Sequence, residues 1–210
     1  MISLPLPVIV SLILCFILVR GIATGVARPL LVLLGLCAVQ AGLASFNLIH
    51  DLSAVRFAQI MTASLIAAAT WIAYATTTQR AFSMVRDGVH LIAGPLAVVI
   101  IGVIDVKILD GFLTLWFAGH GVAIIISVIK GADALPNVPL ETAESAGKLW
   151  LGSAIALIAT ALVDLLIILC VIAGFADWVP LIVTLSSAAV LLCLAVLGLA
   201  QPQTAMVTQP

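Results

Sequence analysis

Seven stretches of this sequence, residues 3–19, 29–49, 57–77, 89–106, 112–129, 149–172 and 179–200, are long apolar runs in which Asp105 and Asp164 are the only Asp, Glu, Lys or Arg. At about 1.5 Å per helical residue each run is long enough to cross about 30 Å of hydrocarbon. A water-soluble core has no use for apolar surface on this scale. Here 64% of residues are hydrophobic and 8% are charged, with a mean hydropathy of +1.37, against roughly 25% charged in a soluble domain. The pattern predicts an all-α membrane protein, a bundle of seven transmembrane helices over residues 1–200, followed by a flexible tail at 201–210.

The loops between the runs carry an orientation. Those after the first, third and fifth runs hold Arg20, Arg28, Arg80, Arg86, Lys130 and Lys148, whereas those after the second, fourth and sixth hold Arg56 and Lys107. Cations accumulate in cytoplasmic loops, so this six-to-two bias predicts an N-terminus outside, a C-terminus in the cytoplasm, and a multi-pass protein of the inner (cytoplasmic) membrane. No cation precedes the first apolar run and Arg20 follows it at once, the reverse of a cleavable signal peptide. In this frame Trp116 and Trp178 fall at the outer interface and Trp71, Tyr74 and Trp150 toward the inner one, an aromatic belt that needs no binding role. In the fifth loop, Pro139 followed by Glu141 and Glu144 predicts that the sixth helix begins near residue 140, before the membrane. About two turns would then project, as a solvated helix end or as a lever.

Within the runs, Asp164 is the most informative residue, because ALVDLLI has no charge within a dozen residues on either side. An ionised carboxylate at a span centre costs about 2.5–3.5 kcal/mol. It is therefore expected inside the bundle within reach of His120, Gln40 or Asn47, as an interhelical hydrogen bond or as a ligand or proton site. Gly152, Ala156, Thr160 and Asp164 recur every fourth residue, a small-residue stripe expected to pack closely on a neighbour. Ala156→Leu should then cost more stability than Leu157→Ala. His120 lies between Gly119 and Gly121, where the missing side chains let a helix or a ligand approach, at a depth near that of Asp164. Gln40 and Asn47, seven residues apart on one face, must find partners within the bundle and read as packing glue. Asp105 is either an interfacial charge or the mouth of an outward-facing cavity. Gly94-Pro95 interrupts the fourth run and frees a backbone carbonyl one turn earlier.

Several chemistries find no residues to carry them. Cys15, Cys37, Cys170 and Cys193 sit in apolar runs without CxxC or Cys/His spacing, so neither a disulfide nor a zinc site is indicated. Lys107, Lys130 and Lys148 lie at the ends of runs, leaving no lysine for a retinal Schiff base. Bis-histidine haem ligation by His90 and His120 is disfavoured by depth, since the first lies near the end of its run and the second near the middle of another. No HExxH, GxSxG or phosphate-binding loop occurs, and eight scattered cations form no nucleic-acid patch. No catalysis, metal or cofactor is assigned.

The cytoplasmic stretch GADALPNVPLETAESAGKLW, followed by SAIALIATALVDLLI, resembles the membrane-embedded N-terminal half of AraC-type transcription regulators, most specifically from Gly131 to Ile167. The segment from Trp178 to Val183 matches relatives only in part. The resemblance implies a sensory domain whose helices shift in response to a small-molecule or membrane-state signal, with membrane lipid as its surroundings and room for a homodimer. It also implies a C-terminal pair of helix-turn-helix units that binds DNA. The chain ends at Pro210 without such a half, so QPQTAMVTQP reads as a linker and the chain as a fragment, or as a stand-alone protein that kept only the membrane part. The alternative is a small multi-span transporter or carrier whose path is lined by Asp164, His120 and Asp105, although no internal repeat supports it.

Overall fold

The computed structural model describes residues 6–50, 52–105, 108–131, 135–186 and 189. Among them every regular element is helical: α1 (Leu6–Ala23), α2 (Arg28–His50), α3 (Ser53–Thr78), α4 (Met84–Ile104), α5 (Ile108–Val128) and α6 (Leu140–Ile172). A shorter apolar helix, α7 (Ala176–Ser186), opens with a single 3-10 turn. The first six are long and apolar enough to cross a membrane, which fits a multi-pass membrane protein. Most of the expected seventh span and the tail at 201–210 lie outside the described residues, as does Lys107.

The helix ends follow local chemistry. Gly25 and Gly174 adopt φ of 73° and 82°, the left-handed conformation that closes a helix cheaply only when no Cβ is present. Beyond them Val26 N–H donates to the Gly21 carbonyl and Phe175 N–H to that of Cys170, at 2.9 and 2.8 Å, which satisfies carbonyls that the helix itself leaves open. At the start of α6, Pro139 stands at the cap and its carbonyl accepts from the Thr142 hydroxyl at 3.1 Å. The predicted opening near residue 140 is observed at Leu140.

Packing is organised around α3, which contacts α2, α4, α5 and α6, while α1 pairs with α2 and α5 with α6. Most of its fully enclosed residues are small: Ser64, Ala67, Ala68 and Ala73 are each 0% exposed, with Tyr74 the large exception. Small side chains let helices approach where lipid supplies no hydrophobic drive, and dispersion then does the work. A second, smaller cluster of Val10, Leu14 and Ala38 joins α1 to α2, with the Ser11 hydroxyl donating to the Ala38 carbonyl at 2.8 Å.

The face that α6 turns inward differs from the one expected. Gly152, Ala156 and Thr160 are exposed, and a Cβ at Gly152 would meet nothing within 4 Å. The buried side is Ala143, Trp150, Ala154, Leu157 and Ala161. The closest approach to α5 is made by a glycine on the other helix, since a Cβ on Gly121 would lie 2.8 Å from Ile158 Cγ1 and 3.0 Å from the Ala154 carbonyl oxygen. One missing side chain at the contact suffices, so the stripe on α6 is not needed for closeness.

The aromatic belt is also corrected. Tyr74 and Trp150 are buried at 0% and 4% exposure and meet edge to face at 5.4 Å. Trp116 donates its indole N–H to the Ser64 carbonyl at 3.0 Å. Of the five, only Trp178 stands well exposed. A buried indole or phenol needs a polar partner for its N–H or O–H, and α3 and α5 supply those partners inside the bundle.

Candidate functional site

Three helices meet where aromatic and imidazole rings replace the small residues of α3. Trp71 of α3, His90 of α4 and Trp116 and His120 of α5, with Leu115, Gly119 and Ala123, line a shallow groove of about 270 Å³. Each ring is placed by a local cause. Gly94 has no side chain, and a Cβ there would come within 3.2 Å of the Trp116 indole, so that glycine seats the ring against α4. The Trp116 indole in turn packs edge-on against His120, with centroids 4.5 Å apart.

His120 is 9% exposed. Its Nδ1 lies 2.8 Å from the Trp116 carbonyl oxygen, which can only accept, so that nitrogen carries the proton. The opposite nitrogen, Nε2, is buried without a hydrogen-bond partner. His90 stands beside it, in edge contact at 5.8 Å, and Trp71 lies 6.3 Å from His90.

The expected depth mismatch between the two histidines is therefore absent. The apolar run begins at Val89, but α4 starts earlier, at Met84. His90 is then six residues inside its helix and His120 eight residues from the end of α5 at Val128, an offset of about 3 Å at 1.5 Å per residue. The edge contact leaves no slot between the rings for a porphyrin.

The early start of α4 has an electrostatic cause that the apolar pattern does not show. Asp87, in the first turn of α4, is 0% exposed, and the Arg80 guanidinium grips it through two nitrogens at 2.6 and 3.0 Å. The Ser83 N–H adds a third bond at 2.7 Å. The bond to Asp87 tightens the guanidinium's hold on its proton, raising Arg80 further above its ordinary range. A carboxylate so neutralised can be buried. The spacing of seven residues across a short turn was the available signal. At the same end of the bundle, the Ser127 hydroxyl bonds to the Tyr74 hydroxyl at 2.9 Å and accepts from Gln79 Nε2 at 2.7 Å. The Asn137 N–H donates to the Thr78 carbonyl at 3.0 Å, tying the segment before α6 to the last residue of α3.

The residues singled out from the sequence are not brought together. Asp164 is partly buried on α6, one to two turns beyond the Gly121 contact, toward the end of α5 that carries Asp110. His120 faces the groove instead. Asn47 Nδ2 donates to Gln59 Oε1 at 3.3 Å, while Asn47 Oδ1 and Gln40 Oε1 are buried without partners, so the expectation that both amides would be satisfied holds only for one group. Asp105 is exposed and caps the end of α4, its N–H bonding to the Ile101 carbonyl at 2.8 Å. Cys15, Cys37 and Cys170 are free thiols, and Cys193 lies outside the described residues. Compared with protein families, with curated proteins and with solved structures, the chain matches none.

Proposed function

We propose that this chain is a membrane-embedded sensory domain of the cytoplasmic membrane, in which occupancy of the α3–α4–α5 groove is passed to a cytoplasmic effector. The observation that carries the reading is that one helix, α3, serves both ends of such a path. Trp71 lines the groove, and seven residues later Thr78 holds the segment that leads into α6. The resemblance of residues 131–167 to AraC-type regulators supports a helix-turn-helix DNA-binding effector, reached through residues beyond the bundle. The cation bias supports a cytoplasmic location for the Arg80 end of the bundle. A sensor needs two packings and a ligand that prefers one, by about 1.4 kcal/mol for each tenfold change in their ratio.

Spin labels at the exposed positions Arg86 and Glu144, with the native cysteines replaced, would test the reading by pulsed distance measurements in nanodiscs. A sensor should show two distances whose proportions change with bilayer composition or added ligand, whereas one invariant distance would count against it. Proteoliposomes should show no solute flux. A reporter after Pro210 should be active in the cytoplasm, and one between Ala173 and Trp178 outside.

A further inference from the structure

The unused nitrogen of His120 specifies more about an occupant than the shape of the groove does. With the proton fixed on Nδ1 by the Trp116 carbonyl, the other nitrogen of the neutral ring offers a lone pair and no proton. Among the described residues no ion pair reaches this imidazole, and an enclosed ring with no counter-charge stays neutral. Nε2 is therefore a buried acceptor lacking a donor, an arrangement that costs free energy until something supplies an O–H or N–H.

The rest of the groove restricts what brings that donor. Its lining is almost wholly apolar and aromatic, with Trp71 and Trp116 presenting ring surface and Gly119 leaving open space, since a Cβ there would meet nothing within 4 Å. Leu115, on its rim, is 75% exposed, so in a membrane the mouth opens sideways toward lipid. A cavity of about 150 Å³ holds one benzene ring, and about 270 Å³ accommodates a substituted single ring. We infer that the groove takes a lipid-soluble aromatic alcohol, a phenol or hydroquinone ring entering from the bilayer, whose hydroxyl donates to His120 Nε2 while the ring lies against Trp116 and Trp71. Because Nε2 is covered, the hydroxyl reaches it as the surrounding side chains part; His90, partly buried and in edge contact with His120, borders the same groove. This names the ligand class for the sensory reading, and it rests on that reading only for the response that binding triggers.

The test uses the full chain in nanodiscs and two probes of matched shape, 4-hexylphenol and its methyl ether 4-hexylanisole, which lacks the donor. The phenol should quench tryptophan fluorescence saturably and shift the ¹⁵N resonance of His120 Nε2, with the ether binding about tenfold more weakly, the order of one hydrogen bond made away from water. His120→Phe should remove the preference for the phenol while leaving weak binding of both probes. Gly119→Leu, which fills open space, should block both. Equal affinity for the two probes in the unmodified protein, or a phenol titration that leaves the Nε2 resonance unmoved, overturns the assignment whatever the variants do. Binding as expected, with the Arg86 to Glu144 distances unchanged by it, would leave this site standing and defeat the sensory reading alone.

Discussion

Helices α3 and α6 invert the rule familiar from soluble proteins. The best apolar window of α3 has the lowest mean hydropathy of the six long helices, 1.4, yet 61% of it is buried, whereas that of α6 has the highest, 3.0, with 11% buried. Lipid is as apolar as leucine, so burying Leu162, Leu165, Leu166 or Leu169 inside the bundle would gain nothing that the bilayer does not already give. These four residues are exposed. The interior is assigned instead to residues that pack closely or need polar partners. In α3 these are alanines, together with Ser64, Thr70, Tyr74 and Thr78, whose hydroxyls bond to carbonyls of their own helix or to Ser127. Hydropathy thus locates the spans, while its local minimum locates the centre of the bundle.

The largest expected effect would break the comparison at the end of α3. Arg80→Ala leaves the Asp87 carboxylate buried and unpaired, and should cost about 3 kcal/mol, at the low end for a broken buried pair because the arginine is partly exposed. Equilibrium unfolding in mixed micelles measures it, and a cost below about 1 kcal/mol would mean that Asp87 is reached by water. Next comes the α5–α6 contact. Gly121→Ala should lose about 2 kcal/mol, since the added carbon presses on the Ala154 backbone, which cannot turn aside. Gly119→Ala, two residues away, should stay within about 0.5 kcal/mol. Similar melting temperatures for the two would show that α6 is held less tightly than its geometry implies.

Two substitutions on α6 sharpen the comparison further. Leu157→Ala removes a side chain that is 5% exposed and should cost about 1 kcal/mol. That is below the 2–5 kcal/mol typical of soluble cores, because only packing is lost and not transfer from water. The smallest effect is Ala156→Leu, on the exposed stripe, expected within about 0.5 kcal/mol. This ranking is the reverse of the one the stripe implies on sequence grounds, and a melt that restored the original order would place a helix against Ala156.

Legibility in the sequence followed the solvent. Long runs without charge delimit helices because an ionised side chain at mid-bilayer is penalised whatever its neighbours, and so α1, α2 and α5 begin and end within a few residues of the runs. The same reasoning misplaces the start of α4. Arg86 and Asp87 look like loop residues until Arg80 is seen to fold back onto Asp87. The groove was only half legible. His120 and its flanking glycines stood out, but the stripe pattern could not say which glycine meets a helix and which opens to a cavity. Only three-dimensional packing distinguishes Gly121, pressed by Ile158, from Gly119, which faces nothing. Trp71 and His90 are hidden in the sequence by an interfacial belt and by a depth estimate, both of which depend on how helices pair.

The Gly121 contact lies at the halfway point of α6. Ala154 and Ile158 bracket residue 156, which is equidistant from the helix ends at Leu140 and Ile172, so α6 rests on α5 like a balanced beam on a fulcrum. Each arm is about 24 Å long at 1.5 Å per residue. A rocking of about 10° about that point would carry the two ends about 4 Å in opposite directions while scarcely disturbing the centre. Because α6 begins about nine residues ahead of its apolar run at 149–172, that point lies off the centre of the span, and the larger part of the motion inside the membrane would fall on the Ile172 side.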